Sequence, residues 1–303
     1  MRDKIVVVGS LNYDIILQAS RLPEKGETYP AKSVTFSAGG KGANQAVQAA
    51  KLGIWTYMVG CIGSDPQGDM LLNTAHKYGL DTTYLRRTEG PSGMSCVHAL
   101  EDGSVYATIV RGANFAITEQ DIDAAESVMR QAAIVILQME IPLEINAYAI
   151  KKAKECGCKV LLNAAPAEQV PDEFLRQCDI IVVNEVEAAF YLGQEMTSQA
   201  LAEQGATKMA DRYQTNIIMT LGKLGAVVCD GGKITFVPSK KVHAVETTGA
   251  GDSFIGGTAY ALIQGMGLTQ ACEFATCCSA ITVCRMGAQD SMPTIDELKN
   301  AQF

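Results

Sequence analysis

Short apolar runs recur along this chain, each followed by a stretch with helical periodicity, and that alternation leaves few folds open. The runs lie at 5–9, 134–138, 160–163, 180–184 and 217–220. Helical patterns follow at 142–156, 174–178, 185–192 and 199–213, several closed by a glycine such as Gly157 or Gly193. Runs that stay apolar instead of alternating suit strands buried on both faces. The pattern predicts an α/β fold, a doubly wound and mainly parallel sheet with helices on both sides. Ligands of such sheets sit beyond the carboxyl ends of the strands. Asn184 with Glu187, and Thr220 with Gly222, fall at those ends. Residues 226–230 and 233–237 flank Gly231-Gly232, a hairpin signal that would close one sheet edge. A length of 303 residues fits one large domain over 1–303, with enough chain for a well-buried core.

Two regions near the N-terminus break the alternation. Residues 14–18 and 29–36 read as short strands around Pro23 and Gly26. Residues 93–100 and 105–111 flank Glu101-Asp102-Gly103-Ser104, another hairpin signal. None of these strands reads as followed by a helix. They are expected to form a small separate sheet, with lid strands inserted at about 14–36 and 93–111; the alternative is that they extend the main sheet. A lid would exclude water from a site beneath it.

The formal net charge is −8, from 25 Lys and Arg against 33 Asp and Glu. A nucleic-acid surface usually carries a basic face, so none is expected. Ten cysteines show no Cys-x-x-Cys spacing and sit mostly in apolar runs. They read as reduced thiols packing as small hydrophobes, in a cytoplasmic protein. The opening Met1-Arg2-Asp3-Lys4 passes straight into a strand-like run, so no signal peptide is expected. No apolar run approaches the roughly 18 residues of a membrane span. The three histidines, His76, His98 and His243, are scattered, and no zinc site is expected.

Two glycine-rich segments carry the chemistry. Glu246-Thr247-Thr248-Gly249-Ala250-Gly251-Asp252 leads into an apolar helix read over 252–264. Free amides at a helix start attract anions, and glycine lets a ligand approach them closely. Asp252 in the same loop can take a proton from a hydroxyl. An anion cradle beside a base is what phosphoryl transfer to an alcohol needs. The plain alternative is a helix capped by Asp252. Ala38-Gly39-Gly40-Lys41-Gly42-Ala43-Asn44-Gln45-Ala46 enters a second helix, read over 43–52. Glycines, a cation and an amide at one helix entrance suit a polyhydroxylated ligand. The segment lacks the spacing and terminal Lys-Ser/Thr of a Walker A loop.

With these residues the chain resembles the ribokinase-like family of carbohydrate and nucleoside kinases, and within it the branch that phosphorylates ribose. The similarity runs from Val6-Val7-Val8-Gly9-Ser10-Leu11-Asn12-Tyr13-Asp14 to Met286-Gly287-Ala288-Gln289. The stretch 39–46 matches the first family signature, and 247–257 matches most of the second. Gln138-Met139-Glu140, Asn163-Ala164-Ala165-Pro166-Ala167 and Asn184-Glu185-Val186-Glu187 match in order between them. The resemblance implies an ATP-dependent sugar kinase acting at the primary hydroxyl. It implies sugar contacts from Asn12, Asp14, Gly40, Lys41, Asn44 and Glu140, with Asp252 as base beside the amides of Gly249, Ala250, Gly251 and Asp252 itself. On the nucleotide side it implies Asn184 and Glu187 near phosphate and Mg²⁺, the loop Thr220, Gly222, Lys223 and Gly225 along ATP together with Gly251, and Thr276 beside the adenine. A monovalent cation, K⁺, would take Glu246, Thr248, Thr282, Arg285, Gly287 and Ser291, several through carbonyl oxygens. A homodimer joined through the lid is implied as well.

The chain departs from the family pattern at three positions. Glu246 stands where a shorter Asp is usual, which leaves cation dependence open. Tyr13 replaces a small residue and either narrows the sugar pocket or points into the lid. Arg111 is either a solvated lid residue or a contact to an anionic substrate. Other readings are a related kinase for deoxyribose, a ketose or a nucleoside, a non-catalytic sugar-binding regulator, and a nicotinamide-dependent enzyme. Gly9-Ser10-Leu11-Asn12 lacks the Gly-x-Gly-x-x-Gly spacing of the last.

Overall fold

A computed structural model describes residues 2–101, 104–301 and 303. The apolar runs become strands β1 (Lys4–Val8), β8 (Ala132–Gln138), β9 (Lys159–Asn163), β10 (Ile180–Asn184) and β11 (Asn216–Thr220). They join β4 (Thr56–Gly63), β5 (Asp81–Thr88), β12 (Gly225–Asp230) and β13 (Lys233–Pro238) in a nine-stranded sheet of order 13-12-11-10-9-8-1-4-5. Pairing is parallel from β11 to β5, while β12 and β13 form the antiparallel hairpin expected at one edge. Strands β4 and β5 carry the sheet beyond the runs read from sequence.

Alternation within β1 feeds two cores. Val6 and Val8 pack with Ile145, Ala149, Ala206 and Met209 on one face, and Ile5 and Val7 with Ala46, Val47, Phe254 and Ala259 on the other. All of these except Ile145 and Phe254 are wholly buried. The helices Leu143–Glu155 and Gln199–Tyr213 cover the first face, and Lys41–Lys51, Pro66–Lys77, Ala250–Ile263 and Leu268–Thr282 the second.

Strand order places a switch point between β1 and β8. The chain leaves β1 toward β4 and leaves β8 toward β9, on opposite sides, so a crevice opens at their carboxyl ends. The lid is a separate four-stranded sheet of order 3-2-6-7, made of β2 (Asn12–Ala19), β3 (Ser33–Gly39), β6 (Gly93–Leu100) and β7 (Val105–Val110). The expected turn at Asp102-Gly103 lies outside the described residues. Several boundaries differ from the sequence reading: the strand read over 14–18 spans Asn12–Ala19, and the helix read over 174–178 is Asp172–Leu175. The third strand begins at Ser33, and it runs directly into the helix Lys41–Lys51 with only Gly40 between them.

Helices Lys41–Lys51 and Ala250–Ile263 touch closely because Gly256 has no side chain. A Cβ there would sit 2.6 Å from Gln48 Cβ and 2.8 Å from the carbonyl oxygen of Gln45. Alanine is the better helix former by about 1 kcal/mol, but forcing two backbones apart costs about 1–3 kcal/mol. Gly256→Ala is therefore expected to lower the melting temperature. A higher one would contradict this helix contact.

Candidate active site

The crevice at the switch point is built first from β1 and β8. Ser10, just past β1, donates its hydroxyl to Glu140 Oε2, just past β8, at 2.5 Å. The amide of Lys41 donates to the same oxygen at 3.1 Å, and the amides of Gly42 and Ala43 reach Ser10 at 3.3 and 2.9 Å. The opening amides of the Lys41–Lys51 helix are thus satisfied by protein groups. This glycine loop is closed to anions, and its Lys41 and Asn44 side chains are what it offers a ligand.

The second helix start is different. Gly249 caps it at φ 76, a left-handed conformation that glycine adopts without cost. The helix begins at Ala250, two residues earlier than the sequence reading, so Asp252 lies inside its first turn and does not cap it. The Ala250 amide makes a 3.2 Å turn bond to the Thr247 carbonyl. The amides of Gly251 and Asp252 have no partner among the described residues, and Gly251 is exposed with open space beside it.

Asp252 faces the first helix. Its Oδ2 accepts from Asn44 Nδ2 and its Oδ1 from Gln45 Nε2, each at 2.9 Å. Burial pushes its carboxyl above the ordinary carboxylate value, opposed by the Lys41 charge and the two amide donors. Burial also works against the Lys41 ammonium, yet Asp252, Glu140 and Glu187 outweigh it and hold that charge above its usual range. One cation therefore serves three carboxylates, a field suited to a ligand that brings its own charge and displaces water.

The lid contributes the opposite wall. The Leu11 amide can only donate, and it donates to Asn114 Oδ1 at 2.9 Å. Asn114 must then turn its NH₂ to Asn12 Oδ1, at 2.7 Å, which leaves the NH₂ of Asn12 to be offered. Asp14 Oδ1 accepts from Ser95 at 2.5 Å. Its carboxyl is raised to about 6 by burial, with Glu140 and Asp252 adding to that rise against the Ser95 bond. A donor and an acceptor thus sit two residues apart on β2. Tyr13 pairs across the sheets with Ala38 and Met94, on the face opposite Asp14, and stacks on Phe36 at 5.7 Å. It belongs to the lid's outer face, not to the sugar side. Arg111 lies over the Phe115 ring at 4.3 Å and is exposed.

On the nucleotide side, Asn184 caps the helix Glu185–Leu192 in a capping box with Glu187. Glu187 is buried, with its oxygens on the Asn184 amide at 2.7 Å and on Nδ2 at 3.0 Å. Burial raises its carboxyl despite these donors and the nearby Lys41. Thr220 ends β11, Gly222 and Lys223 form a short turn, and Lys223 is exposed. Gly225 has a purely structural reason to be glycine, since at φ 129 a Cβ would meet the Val237 carbonyl at 2.1 Å. Thr276 is buried and spends its hydroxyl on the Cys272 carbonyl at 2.8 Å.

The residues assigned to a monovalent cation gather between 246 and 291. Glu246 Oε2 accepts from the Gly287 amide at 2.8 Å, so the longer side chain still closes this loop. Thr282 and Ser291 are buried with hydroxyls already used, on Ser253 and on the Ala288 carbonyl. The Arg285 guanidinium pairs with Glu297 at 2.8 Å. The carbonyls of Thr248, Arg285, Gly287 and Ser291 have no partner among the described residues.

Sequence reading missed Ser10, Gln45, Ser95, Asn114 and Gln289. Gln45 and Ser10 adjoin motifs and were within reach. Ser95 joins the site only through pairing of β2 with β6, and Asn114 only through its bonds to Leu11 and Asn12 from the short turn 112–116; no local signal announces either. A groove of about 1040 Å³ opens at the opposite end of the sheet, near Lys159, Asp179 and Asn216. Its Asp179 is paired with Lys154 at 2.7 Å.

A doubly wound α/β body, a four-stranded lid, and a carboxylate beside a bare helix start define a sugar-phosphorylating class of enzyme. The profile of the pfkB family carbohydrate kinases matches residues 2–295, and the chain belongs to that family. It is a phosphotransferase with a sugar hydroxyl as acceptor. Ribokinase of Haemophilus influenzae is 35% identical over 298 residues, covering 98% of this chain and 97% of that protein. Deoxyribokinase of Salmonella typhi is 34% identical over 295 residues, covering 97% and 96%. The structure of Arabidopsis thaliana ribokinase complexed with ribose and ATP superposes with a TM-score of 0.90 at 33% identity, covering 99% of this chain and 98% of that one.

Asp14 gives a pH prediction. Its folded value, about 6, lies above the ordinary 3.8, so its contribution to stability is intact below about pH 4 and lost as pH rises through about 6. Asp14→Asn is expected to melt higher than the native chain at pH 8, by at most about 3 kcal/mol, and to lose that advantage near pH 4. Paired melting curves at the two pH values would expose an error through the opposite order.

Proposed function

We propose that this kinase transfers the γ-phosphoryl group of ATP to the primary 5-hydroxyl of ribose, giving ribose 5-phosphate. The observation that carries the reading is Asp252, a partly buried carboxylate gripped on both oxygens and placed one residue from an unpaired amide. Asn12 offers a donor and Asp14 an acceptor, which suits a vicinal diol. Deoxyribose lacks one hydroxyl of that pair, and an unmet buried polar group strongly penalises the poorer substrate. The similarity to ribokinases and to a deoxyribokinase is nearly equal, so the preference for ribose rests on this donor–acceptor pair.

The sugar lies between lid and body, held by Asn12, Asp14, the Gly40 loop, Lys41, Asn44 and Glu140. Asp252 takes the proton of the primary hydroxyl as that oxygen attacks phosphorus. The amides of Gly251 and Asp252, with Ala250 partly engaged, stabilise charge on the transferring group, and one well-aimed donor is worth about 3 kcal/mol there. The nucleotide runs past Asn184, Glu187, Thr220, Gly222, Lys223 and Gly225 toward Thr276. Each Glu187 oxygen keeps a lone pair free for water around Mg²⁺, and the unpartnered carbonyls of Thr248, Arg285, Gly287 and Ser291 suit a hard ion such as K⁺. When bound, both ions would supply positive charge near phosphate. The lid excludes water.

A second copy of the chain fits the lid's outer face. Phe36, Val34, Tyr106 and Val110 share that face and are 54%, 47%, 52% and 45% exposed. Ten unbridged thiols support a reducing compartment, the cytoplasm. Among the described residues no helix is long and apolar enough to cross a membrane.

Asp252→Asn is expected to lower kcat by orders of magnitude while melting near the native temperature. An ADP-release assay should show ribose as the best substrate over deoxyribose, ketoses and nucleosides, with faster turnover in potassium than in a large organic cation. Near-native turnover of the Asn variant removes the base, and a preference for deoxyribose removes ribose. Light scattering at micromolar concentration is expected to give a dimer, and Phe36→Asp a monomer. A native monomer would count against the lid contact.

A further inference from the structure

Gln45 is fully buried, and its side chain is the centre of a polar chain that the sugar contacts do not explain. Burying an amide inside a helix–sheet contact is costly unless its groups are matched. All of them are. Nε2 donates to Asp252 Oδ1 at 2.9 Å and to Asn163 Oδ1 at 3.0 Å. Oε1 accepts from Gln138 Nε2 at 2.8 Å. Asn163 in turn donates to the Val182 carbonyl at 3.4 Å. A main-chain carbonyl only accepts, so the direction of the whole chain is fixed from that end. Asn163 must present oxygen to Gln45, Gln45 must present NH₂ to Asp252, and Gln138 must donate to Gln45. Flipping the Gln45 amide would set its oxygen against both the Asp252 carboxylate and Asn163 Oδ1.

Gln45 also differs in direction from its neighbour. Consecutive helix residues point about 100° apart, so Asn44 and Gln45 grip the carboxylate from two sides, one oxygen each. A single contact would leave the carboxylate free to turn about Cβ–Cγ. We propose that Gln45 is a positioning residue for phosphoryl transfer, its amide locked by Gln138 and Asn163 so that the Asp252 carboxylate keeps its plane and its charge when the sugar hydroxyl arrives. The proposal rests on Asp252 being the base. The charged groups that face Asp252 are Lys41 from its own partner helix, Glu140 past β8 and Asp14 from the lid. Only Lys41 favours the anion, and the two carboxylates oppose it, so the amide donors are needed to keep the base ionised.

The experiment compares the native chain with Gln45→Met, Gln138→Met and Asp252→Asn, reading kcat against pH at saturating ribose and ATP, the KM for ribose, and the melting temperature. In Q45M the acid limb of kcat is expected to move up by about one pH unit, the effect of one lost charge-assisted bond, with KM changed less than kcat. Q138M should move the limb the same way by less, because it frees the Gln45 amide without removing it. A merely structural glutamine would change melting, or scale kcat equally at every pH, and leave the limb in place. That result in a folded Q45M overturns the proposal. Should Q45M not fold, Q138M decides alone, and an unmoved limb there overturns it equally. Asp252→Asn separates the two ideas: if it keeps turnover, the base assignment fails; if it loses turnover while the limb stays fixed in Q45M, only the role of Gln45 fails.

Discussion

A carboxylate taken out of water must be matched by donors and positive charge, or it takes up a proton. Asp252 lies in that situation, and much of the site follows from it. Lys41, Asn44 and Gln45 all reach toward it from one helix start, and the close packing at Gly256 keeps that helix and the Asp252 helix together. The same carboxylates that surround Lys41 hold it charged. Asp252 and Lys41 are therefore one electrostatic unit, and a change at either alters the other.

The sheet order explains why this unit lies where it does. Reversal of winding between β1 and β8 leaves their carboxyl ends side by side with no connection passing over them. Ser10 and Glu140, one from each end, meet across that gap and fasten the first helix through its opening amides. The lid then grows directly out of β1, since β2 begins at Asn12. Any tilt of the lid about this junction carries Asn12 and Asp14 with it, so in the proposed reading sugar binding and closure are coupled through chain connectivity.

The sequence was most readable where apolar runs were continuous. Strands β8 to β11 and the helices Glu185–Leu192 and Gln199–Tyr213 lie where their runs and periods place them. Strands β4 and β5 were passed over for physical reasons. β4 is wholly buried but contains Gly60 and Gly63, which weaken a strand signal, and β5 is an edge strand carrying Arg86 and Arg87. At the site, glycine loops gave Lys41, Asn44 and Asp252. They could not give Ser95, which strand pairing distant in sequence brings in, or Asn114, which reaches Leu11 and Asn12 from a turn about 100 residues away. Nor could they give the orientation of Tyr13, because the face a β-residue takes depends on register.

The two glycine-rich loops look alike in sequence, yet the fold makes them different. At the first, the opening amides are occupied by Ser10 and Glu140, so what it presents is side chains, a cation and an amide. At the second, the Gly249 cap carries no side-chain acceptor and two amides stay bare. Hydroxyls are recognised by side chains that both give and take, whereas a phosphoryl group is recognised by donors alone. In the proposed reading, the division between sugar and phosphate is therefore decided by which helix start the protein fills with its own oxygens. Asp252, inside the bare helix but bonded to the filled one, stands where the two kinds of recognition meet.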